Sequence, residues 1–253
     1  MEFSREEIRA IITLGLVTGF IVSFSELFLL QQGHLLVTTQ GIIVFLLACF
    51  GMVVSVWIHE LGHKFFANAI GYKTNTESYY PGQVIGIALS IVSFGHIIFF
   101  TPNTSDLEAD PQARINKHRK YENFRQQAFI AASGLFITGF LAVLLHGAYI
   151  FTNAALMRDL MLGNVCLLVY SLVPFELASV LLLRIQQKIE QLPQSDGLYI
   201  FHYSFPAYVF AAASAAALAL ILLFSASTPV WVALFVGFVA ATFVWFKFFI
   251  EGN

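Results

Sequence analysis

Charged residues are scarce in this chain of 253 residues: they make up 11% of it, whereas hydrophobic residues make up 58%. Soluble globular domains carry about 25% charged and 45–50% apolar residues. The low charge excludes an ordinary soluble domain and indicates a polytopic membrane protein. The net charge is -2 and no basic block is long or rich in aromatic residues, so we expect no nucleic-acid partner.

Cysteine is scarce as well. The two cysteines, Cys49 and Cys166, both lie inside apolar runs, where free cysteine behaves as a small hydrophobic residue. This excludes a disulfide framework and a thiolate metal site. The N-terminal segment MEFSREEIRA is both acidic and basic, and no small-residue cleavage site follows the first apolar run. We therefore expect that run to be a retained span rather than a signal peptide.

Long apolar runs dominate the rest of the chain. About 20 apolar residues cross the hydrocarbon core of a bilayer. Six runs satisfy this rule: 8–30, 41–66, 128–151, 160–183, 205–225 and 229–250. The sequence thus predicts an all-α polytopic membrane protein with about six transmembrane helices. We expect one membrane-embedded domain, residues 1–253, with its core at about 41–203 and flanking spans at 8–30, 205–225 and 229–250.

The shorter apolar stretch 84–100 has 17 residues, and the distribution of positive charge predicts whether it crosses. If it does not, and the N-terminus is cytoplasmic, 12 of the 13 Lys and Arg residues, all except Arg158, lie at the cytoplasmic side. If it does cross, five lie inside and eight outside. Positive residues favour the cytoplasmic side. We therefore expect 84–100 to be a membrane-dipping hairpin or re-entrant segment, in a multi-pass protein of the cell membrane with both termini cytoplasmic.

The run 41–66 ends in the motif His59-Glu60-Leu61-Gly62-His63. Residues four apart share one face of a helix, so His59 and His63 can present ring nitrogens to one metal ion. Glu60 projects about 100° around the helix, where it can act as a proton acceptor rather than a ligand. An ionisable residue inside a membrane span is functional by default. The motif predicts a single Zn²⁺ held by the two histidines, with Glu60 as the catalytic base.

A catalytic zinc site needs a third protein ligand. Asp196 and Glu176 are the carboxylates at a suitable depth, and Asp196 fits better because Gly197 gives its backbone conformational freedom. Glu26 is expected near the outer end of the first span, at the wrong depth. Isolated histidines in apolar settings are more often structural than ligands, and three are of this kind: His96, His146 and His202.

Small residues recur at every fourth position of the run 128–151, at Gly134, Thr138 and Ala142. Such a ridge lets a neighbouring helix approach closely. We interpret it as a packing feature without a chemical role.

Together these motifs resemble the site-2 proteases, intramembrane zinc metalloproteases, and in particular their compact prokaryotic members. In that family an HExxH span is followed by an N-x-x-P motif and then by D-G. The segment from Ser171 to Pro174 resembles the first of these with serine for asparagine, and Asp196-Gly197 resembles the second, with 175–192 as an apparent insertion between them. The resemblance implies that Ser171 and Pro174 help to bind the substrate. It also implies hydrolysis of peptide bonds in or near transmembrane segments of other membrane proteins.

Another class of protein could use the same residues. A membrane transporter or metal-binding protein could use His59 and His63 as a transit site for a metal ion. Such a path should place polar residues through several spans and reach both faces of the membrane. The intramembrane ionisable residues cluster towards one side, which favours the protease hypothesis.

Overall fold

The computed structural model describes residues 3–31, 34–109, 124–174 and 195–224, and this part of the chain is predominantly helical. Its helices are α1 (Arg5–Leu27), α2 (Thr39–Ile70), α3 (Tyr80–Val92), α4 (Phe124–Thr152), α5 (Ala155–Leu172), α6 (Asp196–Tyr203) and α7 (Phe205–Phe224). Its strands are β1 (Phe28–Gln31), β2 (His34–Val37), β3 (Tyr72–Glu77) and β4 (Thr104–Ala109). Five of these helices, α1, α2, α4, α5 and α7, are long and apolar enough to cross a membrane. The prediction of an all-α polytopic membrane protein is confirmed.

The first helix begins and ends three residues earlier than the predicted span 8–30. At its start the Ser4 hydroxyl accepts from the Glu7 amide at 3.1 Å, and the Glu7 carboxylate accepts from the Ser4 amide at 2.7 Å. This reciprocal capping box satisfies two amides that the first helical turn leaves unpaired. At its end the chain turns into the antiparallel hairpin of β1 and β2, which leads to α2.

The predicted fourth span, 160–183, is wrong at both ends. Helix α5 starts at Ala155 and stops at Leu172, because Val173 is extended (φ -75°, ψ 119°) and precedes Pro174. The proline ring clashes with a helical conformation of the preceding residue and lacks an amide proton. The earlier start brings charged residues into the helix, and there Arg158 pairs with Glu26 of α1 at 2.8 Å.

Helix α7 agrees with the predicted span 205–225. The sixth predicted span, 229–250, lies outside the described residues, and so do Glu176 and the apparent insertion 175–192.

The segment 84–100 does not cross from one side of the bundle to the other. Strands β3 and β4, which flank it, pair antiparallel, with Glu77 opposite Thr104 and Asn75 opposite Asp106. The chain therefore leaves the sheet at Glu77, runs through α3, turns, and returns to the neighbouring position in the same sheet. This is the predicted re-entrant arrangement, built from a helix and an extended return segment rather than from two strands.

The polarity of α3 is the reverse of that of a helix on a soluble protein. Its buried residues are small or polar, and its exposed ones include the large apolar side chains of Val84, Ile85, Ile91 and Val92. Such a helix is suited to lipid on its outer face. After a turn at Gly95, which has a φ of +78°, the return segment enters the bundle. There Phe100 is fully buried, and the Tyr170 hydroxyl of α5 donates to the Ile98 carbonyl at 2.6 Å.

Cysteine labelling tests this topology. In a chain with Cys49 and Cys166 replaced by alanine, Asn75→Cys and Asp106→Cys should be accessible from the same side, because these exposed residues face each other across the sheet. An impermeant thiol reagent applied to intact cells should miss both and should label Asn153→Cys in the α4–α5 turn, at the opposite end. Labelling of only one of the two sheet positions would mean that 84–100 crosses the membrane.

Candidate metal centre

Three side chains from two distant parts of the chain converge inside the bundle. The Nε2 atoms of His59 and His63 are 3.1 Å apart. One carboxylate oxygen of Asp196 lies 3.4 Å from the His59 Nε2, and the other lies 3.4 Å from the His63 Nε2. All three residues are buried. In the part of the chain that the structure describes, they form the one group of His, Cys, Asp or Glu side chains whose atoms could hold a metal ion.

Helix α2 supplies the two histidines because it continues without interruption from Thr39 to Ile70. Their spacing of four residues places both rings on one face, and that face is directed at α4. Gly62, between them in sequence, lies against the Ile137 side chain and the backbone of α4. The absence of a side chain there lets the two helices approach closely, and the rings occupy the space between them.

Two partners on α4 hold the imidazole rings. The Nδ1 of His63 lies 2.9 Å from the Ile130 carbonyl, which can only accept, so the proton of a neutral His63 is on Nδ1. The Nδ1 of His59 lies 2.7 Å from the Thr138 hydroxyl, which can accept a hydrogen bond from a protonated Nδ1 in the same way. In this tautomer both Nε2 atoms have free lone pairs directed at Asp196. Contacts of this kind orient metal-binding histidines in proteins.

The small residue at position 134 makes room for the histidine rings. A Cβ atom on Gly134 would overlap the His63 Nε2 and would lie 2.9 Å from the His59 Cε1. Gly134 and Thr138 therefore shape the site, whereas the sequence had assigned them only to helix packing. The sequence offers one signal for a role at the metal site, a glycine four residues before a threonine on an apolar helix. The same spacing is equally typical of a packing ridge.

Asp196 reaches the histidines because α6 begins directly against the end of α5. A Cβ atom on Gly197 would overlap the Leu172 carbonyl, so only glycine permits this contact. The sequence-based reason for preferring Asp196, the conformational freedom of Gly197, is thus replaced by a steric one: Gly197 has no positive φ in the structure.

The electrostatic environment of Asp196 favours its charged form. Burial opposes ionisation, whereas positive charge at the adjacent His63 and His59 side chains outweighs burial and holds the pKa of the Asp196 carboxyl well below its ordinary value. The nearby cation Lys64 is directed elsewhere, since its Nζ lies 2.8 Å from the Glu7 carboxylate of α1.

Glu60 lies next to the group but does not belong to it. Its Oε2 accepts a hydrogen bond of 2.8 Å from the Thr76 hydroxyl of β3, and both residues are buried. This places Glu60 on the neighbouring face of α2, as the helical spacing predicts. Thr76 was not singled out from the sequence, where only the alternation of YKTNTE indicates that its side chain points inward.

The remaining candidate residues are not members of the group of three ligands. Ser171 is buried in the last turn of α5, and its hydroxyl has no partner among the described residues. Pro174 lies two residues beyond Leu172, at which that helix ends. Glu26 pairs with Arg158, in agreement with its expected exclusion from the site. None of the three isolated histidines belongs to the group, namely His96, His146 and His202.

Comparison of the chain with protein-family models, with curated proteins and with solved structures finds no match. What the structure itself shows is a buried group of two imidazoles and one carboxylate that could hold a metal ion.

Two glycines of α4 provide a matched test of this geometry. Gly134→Ala should weaken Zn²⁺ binding by at least about 10-fold, since the new methyl group displaces both rings. Gly139→Ala should leave it unchanged, because a Cβ there meets its nearest atoms, on Leu218 and Leu168, at 3.6 and 3.7 Å. The measurement is calorimetric Zn²⁺ titration of each purified variant. Equal affinities would contradict the placement of the rings against α4.

Proposed function

We propose that this protein is an intramembrane zinc metalloprotease of the site-2 protease type. The observation that carries the proposal is the convergence of His59, His63 and Asp196, with Glu60 beside them but outside the ligand group. Sequence spacing alone relates the two histidines and the glutamate. The arrival of a distant carboxylate at the same point is an independent structural feature, and it is what a hydrolytic metal site needs.

The residues fit zinc in donor type and in spacing. Zinc binds imidazole nitrogen and carboxylate oxygen at about 2.0–2.2 Å, and in a tetrahedral arrangement adjacent ligand atoms are then about 3.3–3.6 Å apart. The two Nε2 atoms are 3.1 Å apart, and each lies 3.4 Å from a different carboxylate oxygen of Asp196, which is close to this spacing. When bound, zinc supplies Lewis-acid polarisation of a carbonyl oxygen and makes water more acidic. One ion per chain is the expected stoichiometry.

Glu60 would perform the proton transfers. Its carboxylate takes one proton from the attacking water as the water oxygen bonds to the carbonyl carbon of the substrate. It then gives that proton to the amide nitrogen as the carbon–nitrogen bond breaks, so the products are a carboxylic acid and an amine. Glu60 ends the cycle in its starting state. It must not be a metal ligand itself, because the transfers need a carboxylate oxygen that is free to bind the proton.

The membrane location suggests the class of substrate. The described helices are apolar on their outer faces, so a substrate that reaches the site from the bilayer would be a transmembrane segment of another protein. Ser171 supports this, since its buried hydroxyl has no partner among the described residues and could bind a peptide backbone. Pro174 would prevent α5 from continuing beyond Leu172, so that the backbone next to Ser171 stays available to the substrate. We also propose that the protein lies in the cell membrane with both termini in the cytoplasm.

Metal transport is the second candidate, and one observation favours it: polar contacts occur at more than one level of the bundle. Asn164 donates to Ser55 at 3.0 Å, one turn before His59. A polar path for a metal ion does not continue from there towards the other end of the bundle. Between this level and the Glu26–Arg158 pair lies a buried apolar cluster, Val22, Met52 and Leu160. We therefore favour hydrolysis.

The variant Glu60→Gln separates the two functions. The amide keeps the size of the side chain but cannot take a proton, and general-base catalysis is worth about 10²–10⁴-fold. Zinc content should stay near one equivalent, because all three ligands remain, while cleavage of single-span peptides in lipid vesicles should become undetectable. Both quantities are measured on the same preparation.

The exposed glutamate of β3 is the control, and Glu77→Gln should cleave like the wild type. A zinc-loaded Glu60→Gln variant with wild-type cleavage would contradict the mechanism. Zinc flux across the vesicle membrane without cleavage would support transport instead.

A further inference from the structure

The carboxylate of Glu60 is held by a residue that the HExxH motif does not contain. The Thr76 hydroxyl is the donor of the 2.8 Å bond, since a carboxylate can only accept, and it binds Oε2. A hydrogen bond to a charged acceptor in a buried setting is stronger than one between neutral groups. Without it, the flexible glutamate side chain would have several rotamers within reach.

The strand that contains Thr76 has a fixed inward face. Tyr72, Thr74 and Thr76 are buried and the residues between them are exposed, as the two-residue period of a strand requires. A shift of one residue would turn all three outward, so the register of β3 determines whether the hydroxyl reaches Glu60.

That register is tied to the elements that hold the metal ligands. Thr76 lies opposite Ser105 of β4. The Ser105 carbonyl accepts from the Tyr199 hydroxyl at 2.9 Å, and Tyr199 is on α6, three residues after Asp196. The Leu107 carbonyl accepts from the Gln127 amide of α4 at 3.3 Å. These hydrogen bonds hold the sheet against α6, which carries Asp196, and against α4, which packs on the two histidines of α2.

We propose that Thr76 is a positioning residue that fixes the Oε2 of Glu60, so that Oε1 is the oxygen that exchanges the proton. The inference rests on the proposed function and extends it to β3. The hydroxyl donates its proton to Glu60 and not to a peptide, so its removal should act on the rate and not on substrate binding. A misplaced base of this kind costs up to about 10²-fold in rate.

The experiment compares hydroxyl-free and hydroxyl-bearing variants of the full chain in vesicles of phosphatidylcholine and phosphatidylglycerol. The substrates are fluorescein-labelled single-span peptides with glycine or proline in the apolar segment. Thr76→Val should lower kcat by about 10–100-fold, with KM within about twofold of the wild type and zinc content unchanged. Thr76→Ser should restore kcat to within about threefold, since it returns the donor. Thr76→Ala is a second hydroxyl-free variant, and its kcat should fall as much as that of Thr76→Val.

The neighbouring inward threonine is a matched control. The Thr74 hydroxyl is buried on the same face and has no partner among the described residues, so Thr74→Val should cleave like the wild type. Wild-type kcat in Thr76→Val, or equal losses in both valine variants, would overturn the inference while leaving the protease function intact. A serine variant as slow as valine would also overturn it. A zinc-loaded wild type that cleaves none of the peptides would remove the proposed function and this inference with it.

Discussion

Three electron-rich groups face one another inside an apolar helix bundle, and the rest of the site depends on this constraint. Two imidazole nitrogens and a carboxylate lie 3.1–3.4 Å apart with almost no access to solvent. In a medium of low dielectric constant such an arrangement is unfavourable unless positive charge lies among the atoms. A proton can serve one pair of them at a time, whereas a divalent cation serves all three.

The surrounding elements can be understood as the means of holding these atoms together. Helix α4 supplies the space at Gly134 and the polar partners at Thr138 and Ile130. Helix α6 starts against the end of α5 because position 197 has no side chain, and that contact delivers Asp196. The sheet of β3 and β4 is hydrogen-bonded to α4 and α6, and it positions Thr76 against Glu60. Apart from α6, which carries Asp196, these elements contribute space, backbone contacts or a hydroxyl group rather than a ligand.

The sequence predicts the parts of this design that have a local signature. Apolar run length located the five crossings that the structure describes, HExxH located the histidines, and charge bias identified 84–100 as non-crossing. The end of α5 was misplaced because hydropathy outweighed the signal of Pro174. The partners of the site could not be predicted, because Thr76 and Thr138 are far from the motif in sequence and their types are common in strands and apolar helices. Asp196 was chosen over Glu176 for a reason that the structure replaces with the contact between Gly197 and Leu172.

X-ray absorption spectroscopy of the zinc-loaded protein is the most direct check of the metal centre, because it reports the ligands of the bound ion itself. We expect nitrogen and oxygen ligands at about 2.0–2.2 Å from the zinc, with the multiple-scattering pattern of two imidazoles and no sulfur. A shell containing sulfur at about 2.3 Å, or one with fewer than two imidazoles, would contradict it.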